Sequence, residues 1–242
     1  MNGQPADRDN ILADKLEWPA GRHQSMYNLN PMESPPMRQR FAWITDGKLQ
    51  GPDPACDAAL RVCPEALAIP TVGAIVPNWA LVVPRFPALS LAMLSGPRRK
   101  AVVDLAEAAA KTMGSLEDAV FFEHGPRVRD SAIGCGVDQA HLHVIVSEVD
   151  FVESALKDDT VTWTLVRSAD PWDSVKGLEY YLLRAPVGTF IGIPRIQTSQ
   201  FFRRHIARAA GLPDQWDYNR WPHYKNVRRT YERFSEPIRA AA

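Results

Sequence analysis

The sequence is short of the features that mark secreted, membrane-spanning and nucleic-acid-coating proteins. Only three of its 242 residues are cysteine, Cys56, Cys63 and Cys135, too few to staple a chain of this length with disulfides. The opening residues, MNGQPADRDN, are polar and lack the apolar stretch of a secretory leader. Net charge is absent, because 28 Lys and Arg balance 28 Asp and Glu. That disfavours bulk nucleic-acid binding and an acidic disordered chain. One uncharged run, 66–84, approaches spanning length, but Pro70, Gly73, Pro77 and Asn78 interrupt it. Such punctuation indicates buried strands joined by a turn rather than a membrane helix. The expectation is a soluble cytoplasmic protein.

What is present is a core-forming composition, 45% hydrophobic, and an uneven charge distribution. Residues 195–242 carry ten Lys and Arg against four Asp and Glu, so +6, which leaves −6 on residues 1–194. The expected organisation is an N-terminal arm over 1–40, a core over 41–194, and a helical extension over 195–242 packed on that core. Pro31, Pro35 and Pro36 close the polar arm. FAWIT (41–45) reads as a short strand. Residues 71–76 and 79–83 read as an antiparallel pair around Pro77-Asn78. Val102, Leu105, Ala106, Ala109 and Met113 recur at helical spacing over 98–113, with Gly114 as the stop. Residues 119–123 and 140–147 read as strands, and 178–184 with 188–193 as a hairpin. Thr198 or Ser199 is placed to cap a helix carrying Phe202, Ile206 and Ala209, which Gly211 and Pro213 end. A last helix is expected over 224–234. Strands grouped around one long helix, with helices at the end, indicate an α+β fold.

The densest chemistry lies in GCGVDQAHLHVIV (134–146). Side chains alternate along a strand, so Gln139, His141 and His143 share one face, and Ala140, Leu142, Val144 and Val146 the other. Two imidazoles at i and i+2 stand about 6–7 Å apart. The preceding Gly134-Cys135-Gly136 can turn several backbone N–H groups toward one point, a nest that favours an anion. Histidines beside an anion site suit phosphoryl chemistry. One neutral imidazole attacks phosphorus, and a second hydrogen-bonds a non-bridging or leaving oxygen. A bare His-x-His is common by chance; its place on an alternating strand after Gly-x-Gly gives it weight.

The segment resembles the signature of the histidine-triad (HIT) superfamily, His-φ-His-φ-His-φ-φ with φ apolar. Gln139, His141 and His143 fall at the three positions. VGAIVPNWALVVPR (72–85) resembles the paired strands of that superfamily's nucleotide cleft. FFEHG (121–125) matches in order, and RRHIARAAGLPDQW (203–216) resembles the C-terminal extension of a longer bacterial branch. The resemblance spans residues 60–235, roughly. It implies a HIT-like antiparallel sheet with one long helix. It also implies a nucleotide hydrolase or nucleotidyltransferase acting on the α-phosphate of a nucleotide conjugate. His141 is then the nucleophile that forms a covalent nucleotidyl-histidine, and His143 contacts the phosphate and assists the leaving group. Gly134, Cys135 and Gly136 would hold phosphate oxygens through their backbone. Glu123 and His124 would line the cleft, and Ile69, Thr71 and Val72 would contact base and ribose. No cofactor and no metal are implied. The implied partner is a nucleotide-containing small molecule, and a homodimer is allowed. Two departures stand out. Gln139 replaces the first histidine and cannot carry its charge, and Asn78-Trp79 stands where many relatives have Gly-His.

Two other readings compete. One is a nucleotide-binding HIT relative without catalysis. The other is a cupin-like metal enzyme using His141, His143 and Glu148, although Ala155 stands where that motif needs glycine. The charge excess of the extension includes Arg203, Arg204, Arg208, Arg228 and Arg229, which form a solvated face, or one or two of which reach a phosphorylated substrate. Trp216, Tyr218 and Trp221 read as packing anchors or base-stacking platforms. His205 and His223 read as surface or capping residues.

Overall fold

The computed structural model describes residues 40–235. The expected arm over 1–40 lies outside them, apart from Arg40. The described residues form eight strands: β1 (Arg61–Val62), β2 (Ala66–Pro70), β3 (Trp79–Pro84), β4 (Ala119–Gly125), β5 (Leu142–Val146), β6 (Val161–Val166), β7 (Tyr180–Ala185) and β8 (Gly188–Pro194). They pair in one open antiparallel sheet, in the order β1-β2-β3-β5-β4-β7-β8-β6. The helices are α1 (Ala42–Thr45), α2 (Gly96–Met113), α3 (Val152–Leu156), α4 (Phe201–Ala209) and α5 (Tyr224–Ser235). The fold is α+β. Among the described residues no helix is long and apolar enough to cross a membrane. The uncharged run 66–84 is β2, a loop and β3.

The pleat sorts side chains between two layers. On one face α2 lays Val102, Leu105, Ala106 and Ala109 against Ala66, Ala68 and Ala80 of the strands and against Leu142 and Val144 of β5. The strand alanines let the helix approach closely, and each buried Val or Leu is worth about 1.5–3 kcal/mol. On the other face Trp79, Phe122, Ile145 and Tyr181 meet Phe201, Phe202 and Ile206 of α4. Phe41, Trp43 and Ile44 of the α1 segment cover the β2–β3 end with Leu67, Ile69 and Leu81.

Several local expectations give way to tertiary structure. FAWIT is helical, not a strand: its apolar residues suit either period over so short a run, and a turn at Phe41 buries three of them at once. The first strand of the pair is 66–70, not 71–76. Residues 71–78 form a loop whose backbone groups bond to the C-terminal extension instead of a ladder. Arg203 donates to the carbonyls of Val72 and Gly73, and Asn226 to those of Ala74 and Ile75. The Gly73 N–H donates to Pro222 over 2.7 Å. Helix α4 starts at a left-handed Gln200 with no side-chain cap, so neither Thr198 nor Ser199 caps it. Strand β6 and helix α3 were not expected from the sequence. His205 is buried rather than exposed, bonding Ser154 and, at 3.2 Å, Asp158, where α4 packs on α3.

Candidate active site

His143 stands on β5 between two neighbours in register, Leu81 of β3 and Phe122 of β4. Its ring stacks on Phe122 with centroids 4.3 Å apart and 11° between planes. His141 sits one pleat earlier on the same face, its ring centroid 5.0 Å from that of His143. His124, from β4, brings a third ring to within 5.9 Å of His143. All three line a cavity of about 40 Å³ with Arg40, Phe41, Arg203 and Tyr218. Thr71, Val72, Leu81, Cys135 and Val137 complete the wall.

Hydrogen bonds fix the protons. The Nδ1 of His141 lies 2.8 Å from the Gln139 carbonyl. A carbonyl only accepts, so His141 carries its hydrogen on Nδ1 and leaves the Nε2 lone pair free. His143 is the reverse. The Trp79 indole N–H, which only donates, bonds its Nδ1 over 3.0 Å, so neutral His143 carries its hydrogen on Nε2. One cavity thus holds an imidazole ready to attack and another ready to donate. Burial favours the neutral form of each. It pulls the His141 pKa down to about 4, against the opposing pull of the Gln139 carbonyl. It pulls His124 down to about 3, helped by His141 and Arg203. His143 is lowered well below the ordinary value by burial first, then by the neighbouring histidines and Arg203.

The positive charge comes from Arg203 of α4. It is buried, and its hydrogen-bond partners are uncharged: the Thr71 hydroxyl at 3.1 Å and the carbonyls of Val72 and Gly73. Its guanidinium lies over Trp79 and Tyr218 at 4.6 and 5.3 Å. Burial lowers its pKa to about 10, so it stays charged at neutral pH. A buried cation held by neutral groups attracts an anion strongly in a low-dielectric site. His124 adds to the demand: both its ring nitrogens are buried without a hydrogen-bond partner, an arrangement that asks for a ligand or water. At the loop, a right-handed turn over Ala132–Gly134 runs into a left-handed Cys135 (φ 55°, ψ 28°). That succession is the backbone geometry of an anion nest. Tyr218 fastens it by donating to the Cys135 carbonyl over 2.6 Å.

The structure brings together His141, His143, His124, Cys135, Thr71 and Val72, all expected from the sequence. It places the others elsewhere. Glu123 points to the opposite face, because consecutive strand residues alternate. It is fully buried there and accepts from Leu91 N–H, Trp172 Nε1 and Tyr180 Oη, each at 2.7 Å. Burial raises its pKa to about 7 against those donors. Gln139 does not line the cavity. Its amide donates to the carbonyls of Pro84 and Phe86, both at 3.1 Å, and its contribution to the site is the backbone carbonyl on His141. Ile69 lies in the core under α1. Gly134 and Gly136 flank the wall, and Gly136 carries the left-handed turn onward at φ 77°. Cys135 is a poor nucleophile, since burial raises its thiol pKa to about 11.

Three contributors carry no site signal in the sequence, Trp79, Phe41 and Arg40, and Tyr218 reads there only as a packing anchor or base-stacking platform. Trp79 was legible only as an apolar strand residue, and Phe41 carries no chemical signal at all. The cupin reading needs Glu148 beside the histidines and a barrel. The sheet is open, and among the described residues no three His, Cys, Asp or Glu side chains converge on a metal position. No protein-family model matches the chain, and no curated protein matches it.

Proposed function

We propose that the protein is a HIT-like nucleotide hydrolase or nucleotidyltransferase that acts on the α-phosphate of a nucleotide conjugate. The observation that carries this reading is the pair of opposite tautomers, His141 with Nε2 free and His143 with Nε2–H, beside the buried Arg203. His141 Nε2 attacks phosphorus and the bond to the leaving group breaks. The phosphoryl oxygens take their charge to Arg203, to the His143 Nε2–H and to backbone N–H groups of the Cys135 turn. The leaving group departs with the bonding electron pair. In the covalent intermediate the His141 ring is joined to phosphorus at Nε2, and its Nδ1–H stays on the Gln139 carbonyl. Water, or a second acceptor, then attacks phosphorus, the P–N bond breaks, and the incoming group loses its proton to solvent. The Nδ1–H bond keeps the developing imidazolium in place.

The cavity supports a phosphoryl group and little more: 40 Å³ is small beside the 300 Å³ or more of an ordinary ligand pocket. The nucleoside therefore lies outside it, and its entry requires Phe41 or Tyr218 at the rim to give way. Assaying a panel of adenylated and guanylated conjugates, with acid-quench trapping of a nucleotidyl-histidine, tests the reading. The expected result is a trapped adduct on His141 and a turnover loss of at least about a thousandfold in His141→Ala. Turnover of the His141→Ala protein equal to that of the parent would remove His141 as nucleophile. Binding without turnover by the parent would make the chain a non-catalytic nucleotide binder.

A further inference from the structure

Among the described residues β6 has a strand neighbour on one side only, β8. The ladder tells which backbone groups face the free side. Arg195 N–H donates to the Thr160 carbonyl, and Val161 stands opposite Pro194, which has no N–H to give. Backbone groups alternate in an antiparallel pair. Those of Thr162, Thr164 and Val166 therefore face β8, and those of Trp163 and Leu165 face outward. Sheet edges are normally guarded by lysine, proline or a bulge. The β6 sequence, VTWTLV, has none of these, and Leu165 is 52% exposed. Two exposed charges flank the strand, Asp159 and Arg167. Among the described residues neither has an ion-pair or side-chain hydrogen-bond partner.

We propose that β6 is a dimerisation edge, occupied by β6 of a second copy of this chain in antiparallel pairing. A strand that pairs with its own copy must place the two-fold axis on itself. Residues equally distant from an axis through any residue of the strand both face outward or both face inward, so each such axis forms the outward ladder, and the axis we assign passes through the central residue, Trp163. Residues equally distant from Trp163 then meet across the seam. Val161 stands opposite Leu165 of the second copy and covers it. Thr162 stands opposite Thr164, a favourable cross-strand pair. Asp159 stands opposite Arg167, and symmetry repeats that ion pair. An axis through any other residue of the strand leaves Asp159 and Arg167 apart. Of the registers that satisfy the backbone, the one centred on Trp163 alone joins the two partnerless charges. The contact stands apart from the proposed chemistry, since no residue of β6 lines the cavity.

Sedimentation velocity on the full chain over a concentration series tests this. The expected result is a monomer–dimer equilibrium. Asp159→Arg and Arg167→Asp alone should each weaken the dimer by about tenfold, as two attractive pairs become repulsive. The double variant should return to within about threefold of the parent. Leu165→Pro, which removes only an outward N–H, should give a folded monomer by circular dichroism. A monomeric parent at every concentration would overturn the proposal, including one in which residues 1–39 cover the edge. So would single charge variants that dimerise like the parent, or a double variant that fails to recover.

Discussion

Trp79 and His143 share a hydrogen bond, indole N–H to imidazole Nδ1 at 3.0 Å, that decides which nitrogen of the histidine can serve a ligand. An indole cannot accept, so His143 cannot protonate at Nδ1 without losing its partner. Burial reinforces the same outcome. On His141, whose ring centroid lies 5.0 Å from that of His143, the Gln139 carbonyl imposes the opposite tautomer. The strand supplies two chemically identical rings, and their partners make them different.

Removing the donor should therefore scramble the assignment. In Trp79→Phe the freed Nδ1 of His143 is open to protonation and to tautomer exchange. On the proposed mechanism kcat falls roughly tenfold with KM nearly unchanged, and the acid limb of the pH–rate profile moves upward, because one buried hydrogen bond is worth about 1–2 kcal/mol. Nitrogen-15 chemical shifts of the imidazoles report the tautomer directly. Unchanged His143 shifts in the variant would sink this account.

Stability should rise with pH through the mildly acidic range. Each cavity histidine binds its proton less tightly folded than unfolded, so below about pH 6.5 the unfolded chain takes up protons that the folded site refuses. That stability is present above 6.5 and is lost as pH falls toward 4. Glu123 works in the opposite sense. Its folded carboxyl keeps a proton up to about pH 7, whereas the unfolded one loses it near 4.5, so its contribution is lost as pH rises through 7. Three histidines outweigh one carboxyl between pH 4.5 and 6.5, with a net slope of about 2–3 kcal/mol per pH unit. Urea unfolding across that range measures it. His124→Phe should reduce the slope by about 1.4 kcal/mol per pH unit, and an unaltered slope would contradict the burial of His124 as a neutral ring.

Gly73 has a stricter requirement than most turn glycines. Its φ is +72°, and an added Cβ would meet the Tyr218 side chain and come within 2.8 Å of Arg203 Nη1. Gly73→Ala should cost at least about 2 kcal/mol, combining left-handed strain with the displacement of two cavity residues. On the proposed function it should also weaken the binding of inorganic phosphate, because Arg203 loses its seat. Thermal unfolding with a phosphate titration would register both effects. A variant as stable as the parent would contradict the close approach.

Phe41 rests edge-on against His141, with centroids 5.7 Å apart, and is almost wholly buried. Phe41→Ala should lower stability by about 3–5 kcal/mol while opening the rim. Carbethoxylation of His141 should then quicken, and kcat/KM for bulky conjugates should rise. A modification rate equal to that of the parent would mean that access runs past Tyr218 instead.

The chemistry of β5 was legible because a strand's period is short and the His-x-His spacing survives small errors in its ends. The same rule separates Glu123 from His124, but only once it is known which of two adjacent residues faces the helix. The apolar run FF before them offers no polarity to tell. The misplaced first strand has another cause. TVGAIV has strand-like composition, yet its carbonyls are claimed by Arg203 and Asn226, more than 120 residues later, and no local pattern reports such partners. Arg203 itself is one of ten basic residues on the extension. Its burial sets it apart, and burial of one arginine among several on an amphipathic helix leaves little trace in composition.

The bonds between the 71–75 loop and the C-terminal extension also order events in time. Thr71 and Arg203 are 132 positions apart, and the Trp79 backbone N–H donates to the Thr230 hydroxyl, 151 positions away. A ribosome releases this chain from the other end, so the β2–β3 loop must wait, its carbonyls bonded to water, until α4 and α5 emerge. Until then the histidine strand can pair with its neighbours while the cavity lacks its cation and part of its wall. Anion affinity should thus be the last property the nascent protein acquires, which keeps an incomplete chain from holding a ligand that it is not yet built to process.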